Sequence, residues 1–226
     1  MLEYARQPKV RTLNMHNSPA QDRQPLMIPG PSGELEALIE TPHSPIANTV
    51  AIVCHPHPLH GGTMHNKVVT TLTRACQALG AVVVRFNFRG VGDSTGVYDN
   101  AIGEQDDLRA VIHWAKEHYP NSRLWLAGFS FGSYVATRVA SDMAVDQLIT
   151  IAPPVNHFDF STLSAITCPW LIVQGEADEV VPAEEVFAWA ASRPENPQVI
   201  RLPNVGHFFH GKLIELRDDI IAAIQT

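Results

Sequence analysis

The chain has 226 residues, of which 45% are hydrophobic and 17% charged, which allows a sizeable core and excludes global disorder. Its 16 Lys and Arg stand against 23 Asp and Glu, a formal charge of −7 with no basic run, which argues against nucleic acid as the main partner. No 18-residue apolar run marks a membrane span, and Cys54, Cys76 and Cys168 are too few and scattered for a disulfide framework or a cysteine-rich zinc site, so they suit a reducing cytosol.

Residues 1–23 carry Arg6, Lys9, Arg11 and Arg23 and no apolar stretch longer than two residues. They lack the apolar segment of a secretory signal and read as a mobile tail, or as an over-long start ahead of Met15. A single domain is expected over 24–226. It opens with strands at 25–28 and 35–40 around the turn signal Pro29-Gly30-Pro31-Ser32-Gly33, an antiparallel hairpin. Apolar, β-rich runs then recur at Val50–Cys54, Ala81–Asn87, Arg123–Phe129, Gln147–Ala152, Trp170–Gln174 and Val199–Leu202. Helix-period segments lie between and after them, near 64–79, 104–118, 132–142, 182–192 and 211–225. In the last, Leu213, Leu216, Ile220 and Ile224 fall on one helix face. Pro182 suits a first helical position, with Glu184 and Glu185 placed well against the helix dipole. Strand–helix alternation of this kind means an α/β fold: a mostly parallel sheet with helices on both faces. The continuous apolar character of VAIVC and AVVVRF agrees, because central parallel strands are buried on both sides.

At the end of the run Arg123–Phe129 stands Gly128-Phe129-Ser130-Phe131-Gly132, a G-x-S-x-G pattern between a predicted strand and a predicted helix. The sharp turn holds the serine in a strained conformation and leaves no room for side chains two residues before and after it. The helix that starts there directs its N–H groups at charge developing beside the serine. A hydroxyl becomes a useful nucleophile when a base takes its proton and an acid orients that base. An elbow of this kind draws both from loops at the carboxyl ends of later strands, in the chain order Ser, Asp, His. The acid candidates are Glu176, Asp178 and Glu179 after the seventh run, with Asp178 favoured ahead of Val180-Val181-Pro182. The base candidates are His207 and His210 after the eighth. His207 is favoured, since His210 stands just before the last helix; His157, after the sixth run, ranks third.

The elbow, the GEADEVVP and NVGHFF stretches and Phe86-Asn87-Phe88-Arg89-Gly90-Val91-Gly92-Asp93-Ser94 together resemble the α/β-hydrolase superfamily. Cys54-His55-Pro56-His57-Pro58-Leu59-His60-Gly61-Gly62-Thr63-Met64 is similar, within it, to small lidless bacterial serine hydrolases related to dienelactone hydrolases. Dienelactone hydrolases proper use a cysteine nucleophile where this chain has Ser130. The resemblance implies two backbone donors for the oxyanion of an acyl-transfer reaction, worth about 2.7–4 kcal/mol each. One is the N–H of Phe131. The other comes from His55-Pro56-His57-Pro58, where only residues 55 and 57 have an N–H and His57 is in register; Leu59 and Gly61 are lesser alternatives. Arg89 and Asp93 read either as a loop brace or as a surface pair. Ser94 is a nucleophile only if the Ser130 reading fails.

His55, His57, His60 and His65 invite a metal reading, but the interleaved prolines make a stiff, badly aimed chelate. No metal and no cofactor is expected, and His55 is expected to hold the loop by hydrogen bonds. About 15 residues separate the sixth and seventh runs, too few for a lid of packed helices. The expected protein is a cytoplasmic serine hydrolase with an open cleft. It acts on a small carboxylic ester, with a thioester or small amide as alternatives and a catalytically silent scaffold as the rival class. The sequence is silent on its oligomeric state.

Overall fold

Residues 22–42 and 48–225 are described by the computed structural model. The expected tail, 1–23, lies outside them except for Asp22 and Arg23, which open the first strand three residues earlier than expected. β1 (Asp22–Gly30) and β2 (Gly33–Thr41) form the antiparallel hairpin, closed by the turn at 31–32. β3 (Thr49–Cys54), α1 (Lys67–Ala78), β4 (Val82–Phe86), α2 (Gly103–His118), β5 (Arg123–Phe129) and α3 (Phe131–Asp142) follow. β6 (Gln147–Ile151), β7 (Trp170–Gly175), α4 (Ala183–Ser192), β8 (Gln198–Leu202) and α5 (Leu213–Gln225) complete the order. The helix boundaries shift by a few residues at their caps. Asn66 accepts the N–H of Val68 and so starts α1, and Pro182 precedes α4, its ψ of 119° too extended for a helical residue.

All eight strands share one sheet in the order β1-β2-β4-β3-β5-β6-β7-β8. β1, β2 and β4 pair antiparallel in sequence, and every pairing from β4 through β8 is parallel. β3 shows why its sequence is apolar without a break. Val50, Ile52 and Cys54 belong to the core on the α2 and α3 side of the sheet, while Ala51 and Val53 belong to the core on the α1 side.

Parallel pairing gathers the carboxyl ends of β3, β4, β5, β6, β7 and β8 along one edge of the sheet, where open α/β sheets place their ligand sites. The loop after β4 is tied down there by charge. Arg89 donates from Nε and Nη2 to the fully buried carboxylate of Asp107 on α2, with Nη2 to Oδ1 at 2.8 Å, and its backbone N–H reaches Asp107 Oδ2 at 3.0 Å. Arg89 is therefore a brace, but its partner is Asp107 and not the expected Asp93. The Asp93 side chain is exposed, and its backbone N–H donates to Glu36 Oε2 at 3.0 Å. Ser94 is buried and structural: it accepts the Glu36 N–H and donates to the Asn87 carbonyl. Between β6 and β7, residues 152–169 form turns with no helix, so no lid covers the edge.

Candidate active site

Ser130 occupies the junction of β5 and α3 with φ 52° and ψ −119°, a left-handed conformation that costs a residue with a Cβ about 1–3 kcal/mol. Surrounding bonds hold it there. Its N–H donates to Ile151 O on β6, and its carbonyl accepts the Ser133 N–H at 2.8 Å and the Ser133 hydroxyl at 2.6 Å. The two glycines of the pattern are steric requirements. A Cβ at Gly128 would stand 2.2 Å from Gly132 O, and one at Gly132 would stand 2.5 Å from the carbonyl oxygens of Cys54 and His55. The turn thus packs directly on the end of β3, which brings the histidine-rich loop beside the serine.

His207, in the turn after β8, is 3% exposed and lies between two partners. Its Nδ1 is 2.8 Å from Asp178 Oδ2 and its Nε2 is 3.1 Å from Ser130 Oγ. A carboxylate only accepts, so Nδ1 carries the proton and Nε2 is left to accept the Ser130 O–H. Asp178 is held in turn by the N–H groups of Val180 and Val181 on Oδ1, at 2.9 and 2.7 Å, and by Gln174 Nε2 on Oδ2 at 3.0 Å. Burial pushes its carboxyl upward, but the hydrogen bond from His207, those from Val181 and Val180 and the His207 charge outweigh this and hold it below the ordinary carboxylate range.

Phe131 is the first residue of α3, so its N–H has no intrahelical partner. His57 lies beside it, with ring centroids 5.0 Å apart, and precedes a short 3-10 turn at Pro58–His60. Ser130, Phe131, His57 and His60 line a cleft of about 300 Å³, with Pro154, His157, Phe158 and Val180 on its other bank.

Residues 51–214 match the family described as an alpha/beta hydrolase domain. The chain belongs to the α/β-hydrolase family. This α/β hydrolase is 48% identical to an alpha-beta serine hydrolase homologue from Coxiella burnetii, with a TM-score of 0.87 over 92% of this chain and 99% of that one. It is 45% identical to XC6422 from Xanthomonas campestris, an a/b serine hydrolase without lid, with a TM-score of 0.86 over 92% and 95% of the two chains. It is also 40% identical over 210 residues to protein RP471 of Rickettsia prowazekii, spanning 87% of this chain and 88% of that protein. Family and neighbours support a hydrolase function.

The remaining candidates of the α/β hydrolase separate clearly. Glu176 is exposed, His210 is exposed against the Phe208 ring, and neither is among the cleft residues. His157 lines the cleft, but its Nε2 faces Asn156 Nδ2 at 3.3 Å. Leu59 is unsuited as an oxyanion donor, because its N–H is already given to His57 Nδ1 at 3.2 Å. Gly61 ends the 3-10 turn in a left-handed conformation and is not among the cleft residues. His55 is fully buried: Phe88 N–H donates to its Nε2 at 3.0 Å, so its Nδ1–H donates to Pro56 O at 2.6 Å. Burial, opposed by the Pro56 hydrogen bond and aided by His57, pushes its pKa down to about 4. Both nitrogens of His55 and of His57 are engaged within the protein, which removes two of the four histidines from the metal reading. Among the described residues no group of three or more His, Cys, Asp and Glu gathers to hold an ion.

Two contributors, Gln174 and Tyr98, escaped the sequence reading, and Glu179, weighed there only as the acid, has a different role. Glu179 accepts the backbone N–H of His207 on Oε2 at 3.1 Å. Gln174 donates to Asp178; its signal was a polar residue ending the apolar run Trp-Leu-Ile-Val-Gln. Tyr98 meets His57 Nε2 at 3.2 Å from a loop with no motif to mark it.

Proposed function

We propose that this α/β hydrolase cleaves a small carboxylic ester through an acyl-enzyme at Ser130. The observation that carries the reading is the continuous hydrogen-bond chain from Ser130 Oγ through His207 to Asp178. In this mechanism His207 Nε2 takes the hydroxyl proton as Oγ attacks the ester carbonyl. The imidazolium that forms is stabilised by Asp178, which stays ionised. The depressed Asp178 carboxyl supports that role. The N–H of Phe131 and the N–H of His57 would take the developing oxyanion, each worth about 2.7–4 kcal/mol in the transition state. The tetrahedral intermediate collapses as His207 returns the proton to the leaving alkoxide, which departs as the alcohol. Water, deprotonated by the same imidazole, then attacks the acyl-enzyme, and the acid product leaves with Ser130 restored.

The glycine-dependent turn supports the nucleophile assignment, because bonds to Ile151 and from Ser133 hold its strained backbone and Ser130 lines the cleft at the start of α3. The open cleft of about 300 Å³ supports a small substrate. A fluorophosphonate probe tests the reading. Covalent mass should appear on Ser130 of the wild type and be lost in Ser130→Ala, and p-nitrophenyl acetate should be hydrolysed by the former alone. An unlabelled wild type would make the protein a silent scaffold.

A further inference from the structure

The banks of the cleft differ in charge from the rest of the molecule. The chain carries −7, yet among the described residues no carboxylate lines the cleft around Ser130. Three imidazoles do: His57 and His60 on the β3–α1 bank and His157 on the β6–β7 bank.

These histidines are not equivalent. His57 is committed to the fold, since Leu59 N–H occupies its Nδ1 and its Nε2–H is therefore directed at Tyr98 Oη. Burial, with His60 and His157 nearby, lowers its pKa and favours the neutral ring. His60 is exposed and stacked on it, centroids 4.5 Å apart and planes 22° from parallel, and its own nitrogens have no hydrogen-bond partner among the described residues. On the far bank, Asn156 Nδ2 donates to Val180 O and to His157 Nε2, which leaves the His157 Nδ1–H as a donor. The positive end of the α3 dipole opens into the same space at Phe131. Between the imidazoles the walls are apolar: Pro154, Phe158 and Val180. Tyr134 stacks on Phe158 with ring centroids 4.6 Å apart.

We propose that the ester taken by this site carries an anionic group, a carboxylate being the simplest, held by His60 and His157 while its apolar part lies on Phe158 and Val180. The proposal rests on the hydrolase reading above and names its substrate class. Imidazole N–H groups and a helix start make charge-assisted hydrogen bonds to a carboxylate, about twice as strong as neutral ones. Asp178, the carboxylate of the site itself, stands behind His207 and not on the lining, so no lining carboxylate opposes them.

Two matched substrate pairs test it, one for each side of the ester. On the alcohol side, 4-butyryloxybenzoate is compared with its methyl ester. On the acyl side, monoethyl succinate is compared with ethyl 4-methylpentanoate, in which isopropyl replaces the carboxylate. In at least one pair the anionic member should have a kcat/KM higher by about tenfold or more, chiefly through KM. Replacing both rim residues, His60→Gln with His157→Gln, should bring that ratio to about one, and raising the salt concentration should lower it in the unaltered protein. Equal or better hydrolysis of the neutral member in both pairs would overturn the proposal, as would a ratio that the double variant leaves unchanged. Fluorophosphonate labelling separates the failures. A labelled Ser130 without charge preference refutes only the substrate class, whereas an unlabelled one refutes the hydrolase reading and this inference with it.

Discussion

The carboxylate of Glu179 accepts the backbone N–H of His207 at 3.1 Å, while its chain neighbour Asp178 holds the imidazole of the same residue. Two consecutive acids thus fix one histidine at two points, and a Cβ at Gly206 would approach Glu179 Oε2 to 2.7 Å. Glu179→Ala should lower kcat/KM for p-nitrophenyl acetate by about five- to tenfold, the effect of one hydrogen bond on a positioned base. Glu179→Gln, which keeps the acceptor, should restore it to within about twofold. Equal losses in both variants would deny the backbone contact its role.

Asp178→Asn replaces the acceptor of the His207 Nδ1–H by an amide and is expected to reduce kcat by about 10²–10⁴ without unfolding the protein. Glu176→Gln should leave it unchanged, since that side chain is exposed and the His207 Nδ1 is held by Asp178. The reverse order in a steady-state assay would move the acid to Glu176.

His207→Ala removes the proposed base, and activity should fall by about three orders of magnitude. His57→Ala keeps the N–H between Pro56 and Pro58 and loses only the contacts of its ring to Leu59, Tyr98 and Phe131. A loss of about tenfold or less is expected there. EDTA should change neither value, because the nitrogens of His55 and His57 are bonded within the protein.

His55 makes stability depend on acid. Its folded pKa is about 4 against a model-compound value of 6.5, because burial disfavours the charged ring. Below pH 6.5 the unfolded chain takes up a proton that the folded protein refuses until pH 4. Stability is therefore fully present above pH 6.5 and lost as pH falls to 4, by about 3 kcal/mol from this side chain. Chemical denaturation of the wild type and of His55→Gln across that window checks this: the variant should be less stable at neutral pH and lose less on acidification.

Residues 152–169, which connect β6 to β7, form turns only, so a long acyl chain has no lid to cover it. Acetate and butyrate p-nitrophenyl esters should be hydrolysed faster than the dodecanoate. An optimum at twelve carbons or longer in the chain-length series would contradict an open cleft.

By itself the sequence determined the alternation of strands and helices, the antiparallel hairpin, the Ser130 elbow and the loops that follow β7 and β8. All of these are local. Apolar runs mark strands buried on both faces, and Gly128 and Gly132 mark a turn in which a Cβ meets a carbonyl oxygen at 2.2–2.5 Å. Only the tertiary structure decided which partners meet across those loops. Asp178, Glu176 and Glu179 look alike in sequence, but the hydrogen bonds of Val180, Val181 and Gln174 turn Asp178 inward and leave Glu179 to the backbone of His207. Arg89 passes over Asp93 for Asp107, eighteen residues on, because α2 presents a fully buried carboxylate to the loop after β4. Periodicity records whether a side chain is buried, whereas these pairings depend on how the carboxyl ends of parallel strands converge, a distance that no local pattern carries.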